Sequence, residues 1–354
     1  MPFLHGYDPH VHPVLAHGLG KNAIELLAPY LAESFPSVAG FQVSLRTAGE
    51  GIDTLIWLAA FAVTGGLAYY FWPTWLALPF FIAYGVLYGS STDSRWHECG
   101  HGTAFKTRWM NDVVYHVACF MIMREPTVWR WSHTRHHTDT IIVGRDPEIA
   151  IMRPTWILRV FALFFAIPQT WGAIKSIARH AAGTIGEEEK TFIPEMERGR
   201  VILTARIWVA IHAAILASAI YTGSILPLLF FGPLPTMYGA WVHVMTGLTQ
   251  HGGLAEDVLD HRLNSRTVLM NPILRFIYWN MNYHVEHHMF PMIPYHALPA
   301  LHEDLKPYMP KPCSSVLAAY REIIPALWRQ RKEPGWNITP KLPAGIAPVT
   351  AAME

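Results

Sequence analysis

Asn-Met-Asn-Tyr-His-Val-Glu-His-His-Met-Phe-Pro, residues 280–291, places His284, His287 and His288 within one helical turn. On a helix, positions i, i+3 and i+4 share one face, so imidazoles at this spacing can converge on a metal from a single side. Two earlier stretches use the same device. Trp-Ser-His-Thr-Arg-His-His-Thr, residues 131–138, carries His133, His136 and His137, and Trp-His-Glu-Cys-Gly-His, residues 96–101, adds His97 and His101 as an i, i+4 pair. A lone pair is ordinarily a polar helix face. Three clusters, two of them with identical spacing, predict a metal site drawing on eight of the chain's twenty histidines.

One site made from all three clusters requires them on the same side of any bilayer the chain crosses, and that requirement decides the topology. The first apolar run, Ile52 to Phe71, has Asp53 as its single charge and is twenty residues long. At ~1.5 Å per residue it covers the ~30 Å hydrocarbon layer. A turn with interfacial aromatics, Trp72 to Trp75, leads into a second run ending near Ser90. A third run spans Val201 to Tyr221, with Arg206 placed to snorkel, and a fourth runs from Ile225 to Val244, broken by Pro227, Pro233 and Pro235. Two hairpins keep the clusters together, whereas an odd number of crossings would separate them by a bilayer.

The predicted fold is therefore an all-α membrane protein. It has four transmembrane helices in two hairpins (52–71, 75–90, 201–221, 225–244), interfacial helices, and a cytoplasmic histidine-rich cap from residues 91–200 and 245–310. Residues 51–310 form one membrane domain, preceded by a cytoplasmic tail (1–50) with an interfacial stretch around Asn22 to Leu31, and followed by a C-terminal helix and disordered tail (311–354). The segments Trp109 to Met123 and Trp156 to Trp171 are apolar but short, or interrupted by Arg159 and Pro168, and read as interfacial or membrane-dipping helices. Gly183 to Glu197 reads as a solvated connection. Fourteen of the twenty-seven Lys and Arg residues lie between Arg95 and Arg200, and none lies in Trp72 to Trp75 or Tyr221 to Pro227. The positive-inside bias thus puts both termini and every cluster in the cytoplasm.

Composition agrees: 51% of residues are hydrophobic, 15% are charged and fourteen are tryptophan. A net charge of +1 excludes a globally basic nucleic-acid binder. Cys99, Cys119 and Cys313 are scattered, which argues against a disulfide framework or a cysteine zinc site and fits a reducing compartment. Met1 to Gly20 lacks the pattern of a cleaved leader, and its His5, His10, His12 and His17 read as surface residues.

Imidazole ligands suit iron, zinc, copper and nickel. Eight or nine of them exceed the needs of one ion, so the arithmetic points to two ions with four or five ligands each. With such ligands at a membrane surface, the useful pair is iron able to activate O2 and take hydrogen from an unactivated C–H bond. His251, shortly after the fourth run, is the favoured ninth ligand over His243. His116, His180, His212, His261, His296 and His302 stand alone and read as structural. Glu98, Asp93, Asp112, Asp139, Asp146 and Glu286 are candidates to hold the outward ring N–H groups, and Trp96, Trp129 and Trp131 to wall the site. The sharpest rival is a membrane zinc metalloprotease using His97-Glu98-Cys99-Gly100-His101, two ligands with a general base between them. It leaves two clusters unemployed. A membrane metal or haem carrier would instead need histidines spread along a pore.

The three histidine motifs, the two hairpins and Gln250-His251 after the fourth run resemble the membrane-bound fatty acid desaturase superfamily from about Leu55 to Leu305. The resemblance implies a di-iron site ligated by His97, His101, His133, His136, His137, His284, His287 and His288, with His251 as an additional ligand. It also implies O2 as co-substrate, a lipid or other aliphatic substrate, an external ferredoxin or cytochrome as electron donor, and desaturation, with hydroxylation as the alternative outcome. Residues 250–260 and 280–291 are similar to a bacterial branch that includes dihydrorhizobitoxine desaturase and a rhizopine-linked hydrocarbon oxygenase, which widens the implied substrate beyond fatty acyl groups and makes the bacterial inner membrane the implied location. Many relatives carry Gln at the place of His284. Some use an Asn through water to one metal, for which Asn280 and Asn282 are the nearby residues.

Overall fold

A computed structural model describes residues 49–349. The histidines and the interfacial stretch read from residues 1–48 lie outside the described residues.

Helix α1 (Gly49–Phe71) turns at residues 72–75 into α2 (Ala77–Gly85), which packs back along it. The second helix does not stop at residue 90. It passes through a π-helical turn, Val86–Ser91, and continues as α3 (Thr92–His101), so the first histidine pair stands on a direct helical extension of the hairpin's second arm. Gly102, at φ 75°, ends α3 in a left-handed cap. Helices α4 (Arg108–Met121) and α5 (Pro126–Thr138) follow; α5 starts where Pro126 occupies the first turn and the Glu125 side chain accepts from Val128 N. Next come α6 (Ile157–Leu163) and α7 (Ile167–Ala181), bent by 76° at a short break. Helix α8 (Glu195–Thr222) is followed by three pieces, α9 (Leu226–Phe230), α10 (Pro233–Gly239) and α11 (Trp241–His251). After a single helical turn at His261–Asn264 come α12 (Pro272–Tyr278), α13 (His284–Met289), α14 (Leu298–Leu305) and α15 (Val316–Arg329). Among the described residues there is no strand, only two isolated bridges at Thr267 and Val268.

Residues 51–71 and 195–222 are the two described helices long and apolar enough to cross a membrane, and the bent pair α6 and α7 makes a third by length and composition. Leu55, Ile56, Leu58, Val63, Leu203, Ile207 and Leu216 are exposed on these helices, as lipid-facing residues would be. Segment 225–244 departs from the single helix expected of a fourth span, because Pro227, Pro233 and Pro235 remove amide donors and divide it into three.

The broken segment is welded to the first hairpin by glycine. A Cβ on Gly239 would lie 1.8 Å from the Gly85 carbonyl oxygen, and one on Gly89 would lie 2.9 Å from Ala240 N. Gly85 and Gly89 are four residues apart, the small-xxx-small spacing that lets two helical backbones touch. Ser90 Oγ donates to Gly239 O (2.6 Å) and accepts from His243 N (2.8 Å), capping the break between α10 and α11. That contact fixes the direction in which α11 delivers His251.

The C-terminus also differs from expectation. Its helix forms, capped by Ser315, but the tail beyond it is tied down through residue 349 rather than disordered: Ile338 N donates to Gly253 O (2.8 Å) and Val349 N to Asp260 Oδ2 (2.9 Å). The buried Asp260 and Arg262 pair offers the fixed acceptors and donors that hold this strand-like run, Arg262 donating to Ala347 O (3.1 Å).

Because overpacking a rigid contact costs ~1–3 kcal/mol or more, Gly239→Ala is expected to lower the thermal midpoint of the detergent-solubilised protein well beyond the effect of Gly66→Ala, where a Cβ meets open space.

Candidate metal centre

All nine sequence-predicted histidines come together, from four elements: His97 and His101 on α3, His133, His136 and His137 on α5, His251 at the end of α11, and His284, His287 and His288 on α13. They sort into two groups whose ligand atoms lie within 4.8 Å of one another. One contains His97, His101, His133, His137 and His287; the other contains His136, His251, His284 and His288.

The sorting corrects one expectation. Neither triplet converges on a single point. At 3.6 residues per turn, neighbouring residues point about 100° apart. The i and i+4 members therefore face one way and the i+3 member the other. His133 and His137 join the first group while His136 joins the second; His284 and His288 join the second while His287 crosses to the first.

The ring nitrogens face inward. His133 Nε2 lies 3.2 Å from His101 Nε2 and 3.1 Å from His137 Nε2, and His137 Nε2 lies 3.2 Å from His287 Nε2. In the second group His284 Nε2 lies 3.0 Å from His251 Nε2 and 2.9 Å from His288 Nε2. Outer acceptors set the tautomers, since a neutral imidazole carries one N–H. His133 Nδ1 faces Glu148 Oε2 (3.0 Å), His136 Nδ1 faces Asp146 Oδ2 (2.8 Å) and His251 Nδ1 faces Asn264 O (2.8 Å). His288 Nδ1 meets Thr140 Oγ1 (3.1 Å), a hydroxyl whose own proton goes to His136 O (2.6 Å), so the ring donates there as well. With these protons outside, the inward nitrogens present lone pairs to one another at about the distance of a hydrogen bond with no proton between them. A cation at the centre of each group removes that repulsion, and the residues fit an ion in each place.

Burial pushes the imidazoles toward the neutral, ligating form, and neighbouring rings add to it. His251 and His287 fall to about 3, and His97, His133, His137, His284 and His288 fall well below the ordinary histidine range. For His136 burial acts the same way but Asp146 outweighs it and the net direction is upward.

Comparison with known proteins gives the family. The family model described as fatty acid desaturase matches residues 71–318. The chain belongs to the fatty acid desaturase family. Similar curated proteins include a probable fatty acid desaturase of Sorghum bicolor, 24% identical over 75% of this chain and 68% of the relative. Others are a chloroplastic omega-3 fatty acid desaturase of Glycine max, 25% identical over 72% and 59%, and a chloroplastic sn-2 acyl-lipid omega-3 desaturase (ferredoxin) of Arabidopsis thaliana, 26% identical over 71% and 59%. The chain spans about three fifths to two thirds of the length of these relatives.

In this family member a cavity of about 730 Å³ runs beside the histidines, lined by His97, His133, His136, His251 and His284 and by apolar residues such as Ile122, Leu163, Ile177, Val244 and Leu248. Trp96 stands between the cavity and the core, its ring 5.4 Å from that of His133, and Arg124 stacks on both Trp96 and Trp129. Trp131 packs instead against Ile185, Ile193 and Val201, away from the centre.

Among the six carboxylates proposed from sequence, Asp146 takes the expected role. Asp93 pairs with Arg124 (3.2 Å) and with His243 (2.9 Å), which draws His243 away from the metal groups. Asp112 faces Arg108 and Arg130, Asp139 faces Arg135 and Arg145, and Glu286 holds His302 Nδ1 and accepts from Thr267 Oγ1 (2.5 Å). Glu98 accepts from Thr103 Oγ1 (2.7 Å) and Tyr295 N (3.0 Å). Asn280 and Asn282 are backbone clamps: Asn280 Nδ2 donates to Tyr295 O (2.9 Å) and Asn282 Nδ2 to Val268 O (2.8 Å). Sequence reasoning missed Glu148, Thr140 and Asn264. Glu148 had a signal, since it sits two residues after Asp146; the other two had none, because one acts through a hydroxyl and the other through its backbone carbonyl.

Removing an outer partner of a metal-binding histidine typically costs ten- to a hundredfold in affinity. Asp146→Asn is therefore expected to lower the metal retained per chain under competing chelator by about that factor, measured by elemental analysis, with Asp112→Asn as the unaffected control.

Proposed function

We propose that the chain is an O2-dependent di-iron membrane oxidoreductase that desaturates an acyl or other aliphatic chain with electrons from an external ferredoxin or cytochrome. The observation that carries this is the sorting of nine histidines into a group of five and a group of four beside a cavity lined in part by apolar residues, in a chain of the desaturase family. His97, His101, His133, His137 and His287 would hold one iron and His136, His251, His284 and His288 the other. Iron held there supplies activation of O2 and removal of hydrogen from an unactivated C–H bond.

The chain's own residues do the rest. Glu148, Asp146, Asn264 O and Thr140 keep the ring protons outside, so that the inward nitrogens stay ligands. Trp96 and the apolar cavity wall exclude water from the reacting carbon and hold an extended chain in line. The names of several relatives specify acyl-lipid omega-3 desaturation and ferredoxin. Those names support an acyl substrate and a ferredoxin-type donor here, and the bacterial branch is proposed from residues 250–260 and 280–291.

The membrane arrangement we propose is one domain, 51–310, in which residues 52–71, 75–90 and 201–221 cross as helices and 225–244 crosses as a broken segment. Cap and termini then face the cytoplasm at a bacterial inner membrane. Hydroxylation shares the first hydrogen removal and is the alternative outcome. The zinc-protease reading has less support: His97 and His101 share their group with three further histidines, and Glu98 is engaged by Thr103 and Tyr295.

The purified protein is expected to hold close to two irons per chain and to form an alkene product only with O2 and reductant. His136→Ala and His287→Ala, one from each group, should each reduce product to background in lipid and metabolite profiles. One zinc per chain, with peptide hydrolysis that survives His136→Ala, is the result that sinks the proposal.

A further inference from the structure

Helix α5 presents one row of side chains to the cavity, from the cap residue Glu125 through Val128, Trp129 and Ser132 to His133 and His136. Eight residues at ~1.5 Å each put Glu125 ~12 Å along the helix axis from His133. The end of the cavity near Glu125 is polar. Glu125 is 4% exposed; its Oε2 accepts from Val128 N (2.7 Å), Oε1 has no partner at hydrogen-bond distance, and burial pushes the carboxyl up to about 6 against the lowering pull of Val128, His180 and Thr204. His180, 1% exposed, lines the same cavity from α7. Its Nε2 faces Glu189 Oε2 (2.9 Å), an oxygen that also receives Gly186 N (2.7 Å) and Arg179 (2.8 Å). Burial works against the Glu189 carboxylate, but these contacts hold it down at about 2, so it can only accept. With Glu189 accepting at Nε2, a neutral His180 ring has its lone pair on Nδ1, which has no partner.

Two buried acceptors in one cavity, both unpaired, carry a desolvation cost that a donor-bearing ligand removes. We infer that this end of the cavity binds a hydrogen-bond-donating head group of the substrate, an ammonium or a hydroxyl, while its aliphatic chain runs along α5 to the histidines. The inference rests on the oxidative reading above and specifies its substrate: an amphiphile whose oxidised carbon lies ~12 Å from its polar end.

The test uses the full chain in membranes with O2 and reductant, and three saturated probes of equal length: a primary amine, a primary alcohol and a methyl ester. The amine or the alcohol should show a KM about tenfold below that of the ester, the factor expected for one hydrogen bond donated to a buried acceptor that the ester leaves bare. Glu125→Gln keeps an acceptor oxygen and loses the charge. If the head group is an ammonium, this variant should raise the amine KM about tenfold; if it is a hydroxyl, the alcohol KM should hold in Glu125→Gln and rise about tenfold in His180→Phe. Wild-type metal content and an unchanged ligand-free thermal midpoint in both variants separate recognition from misfolding. Equal KM for all probes, or indifference to both substitutions, overturns the inference and leaves the oxidative reading intact. Should the wild type oxidise none of the probes, the oxidative reading fails, and the shift in thermal midpoint with amine or alcohol, lost in Glu125→Gln or His180→Phe, still decides the head-group site.

Discussion

Lone pairs at 3 Å from one another are what this molecule is built to tolerate. Four of the rings, His133, His136, His251 and His288, are pinned from behind by two carboxylates, a carbonyl and a hydroxyl, and burial pushes most of the rings toward the neutral form. In water such rings would turn away or take up protons. Here each is attached to a short, firmly seated helix, and the repulsion is stored in the fold as affinity for a cation. The cap's buried polar residues and its interlocking short helices follow from that need to hold rings against their own electrostatics.

Much of the holding is done away from the histidines. The backbone contact between Gly85 and Gly239 and the Ser90 bridge set the angle of α11. Arg95, a fully buried residue of α3, stacks on Trp57 and Trp279 at 5.0 and 4.7 Å, tying α1 and α3 to the loop that precedes α13. Val268 N donates to Asn282 O (2.9 Å) and Leu269 N to Cys313 O (2.9 Å), so the chain on either side of α13 is fastened by main-chain bonds rather than left as a loop.

The two histidine groups were legible in the sequence because their members are local: a three- or four-residue spacing on a helix announces which rings can meet. His251 was legible by position, one short helix beyond an apolar run. What could not be read was anything set by contact between distant segments. Asp93 and Asp146 are both acidic residues near a histidine motif, yet one pairs with Arg124 and His243 while the other holds His136, a choice made by helix directions. The fate of segment 225–244 was half legible: its prolines foretold a break, but Gly85 as the partner that makes the break useful carries no signal of its own. The ordered tail depends on a buried Asp260–Arg262 pair that looks like any surface charge pair in the sequence.

The interleaving of the two triplets has a consequence for occupancy. Helices α5 and α13 each send rings into both groups, so the two chambers share two walls. Were each chamber to hold an ion, binding in one would act on a helix that also lines the other, so the two occupancies would be coupled through α5 and α13 rather than independent.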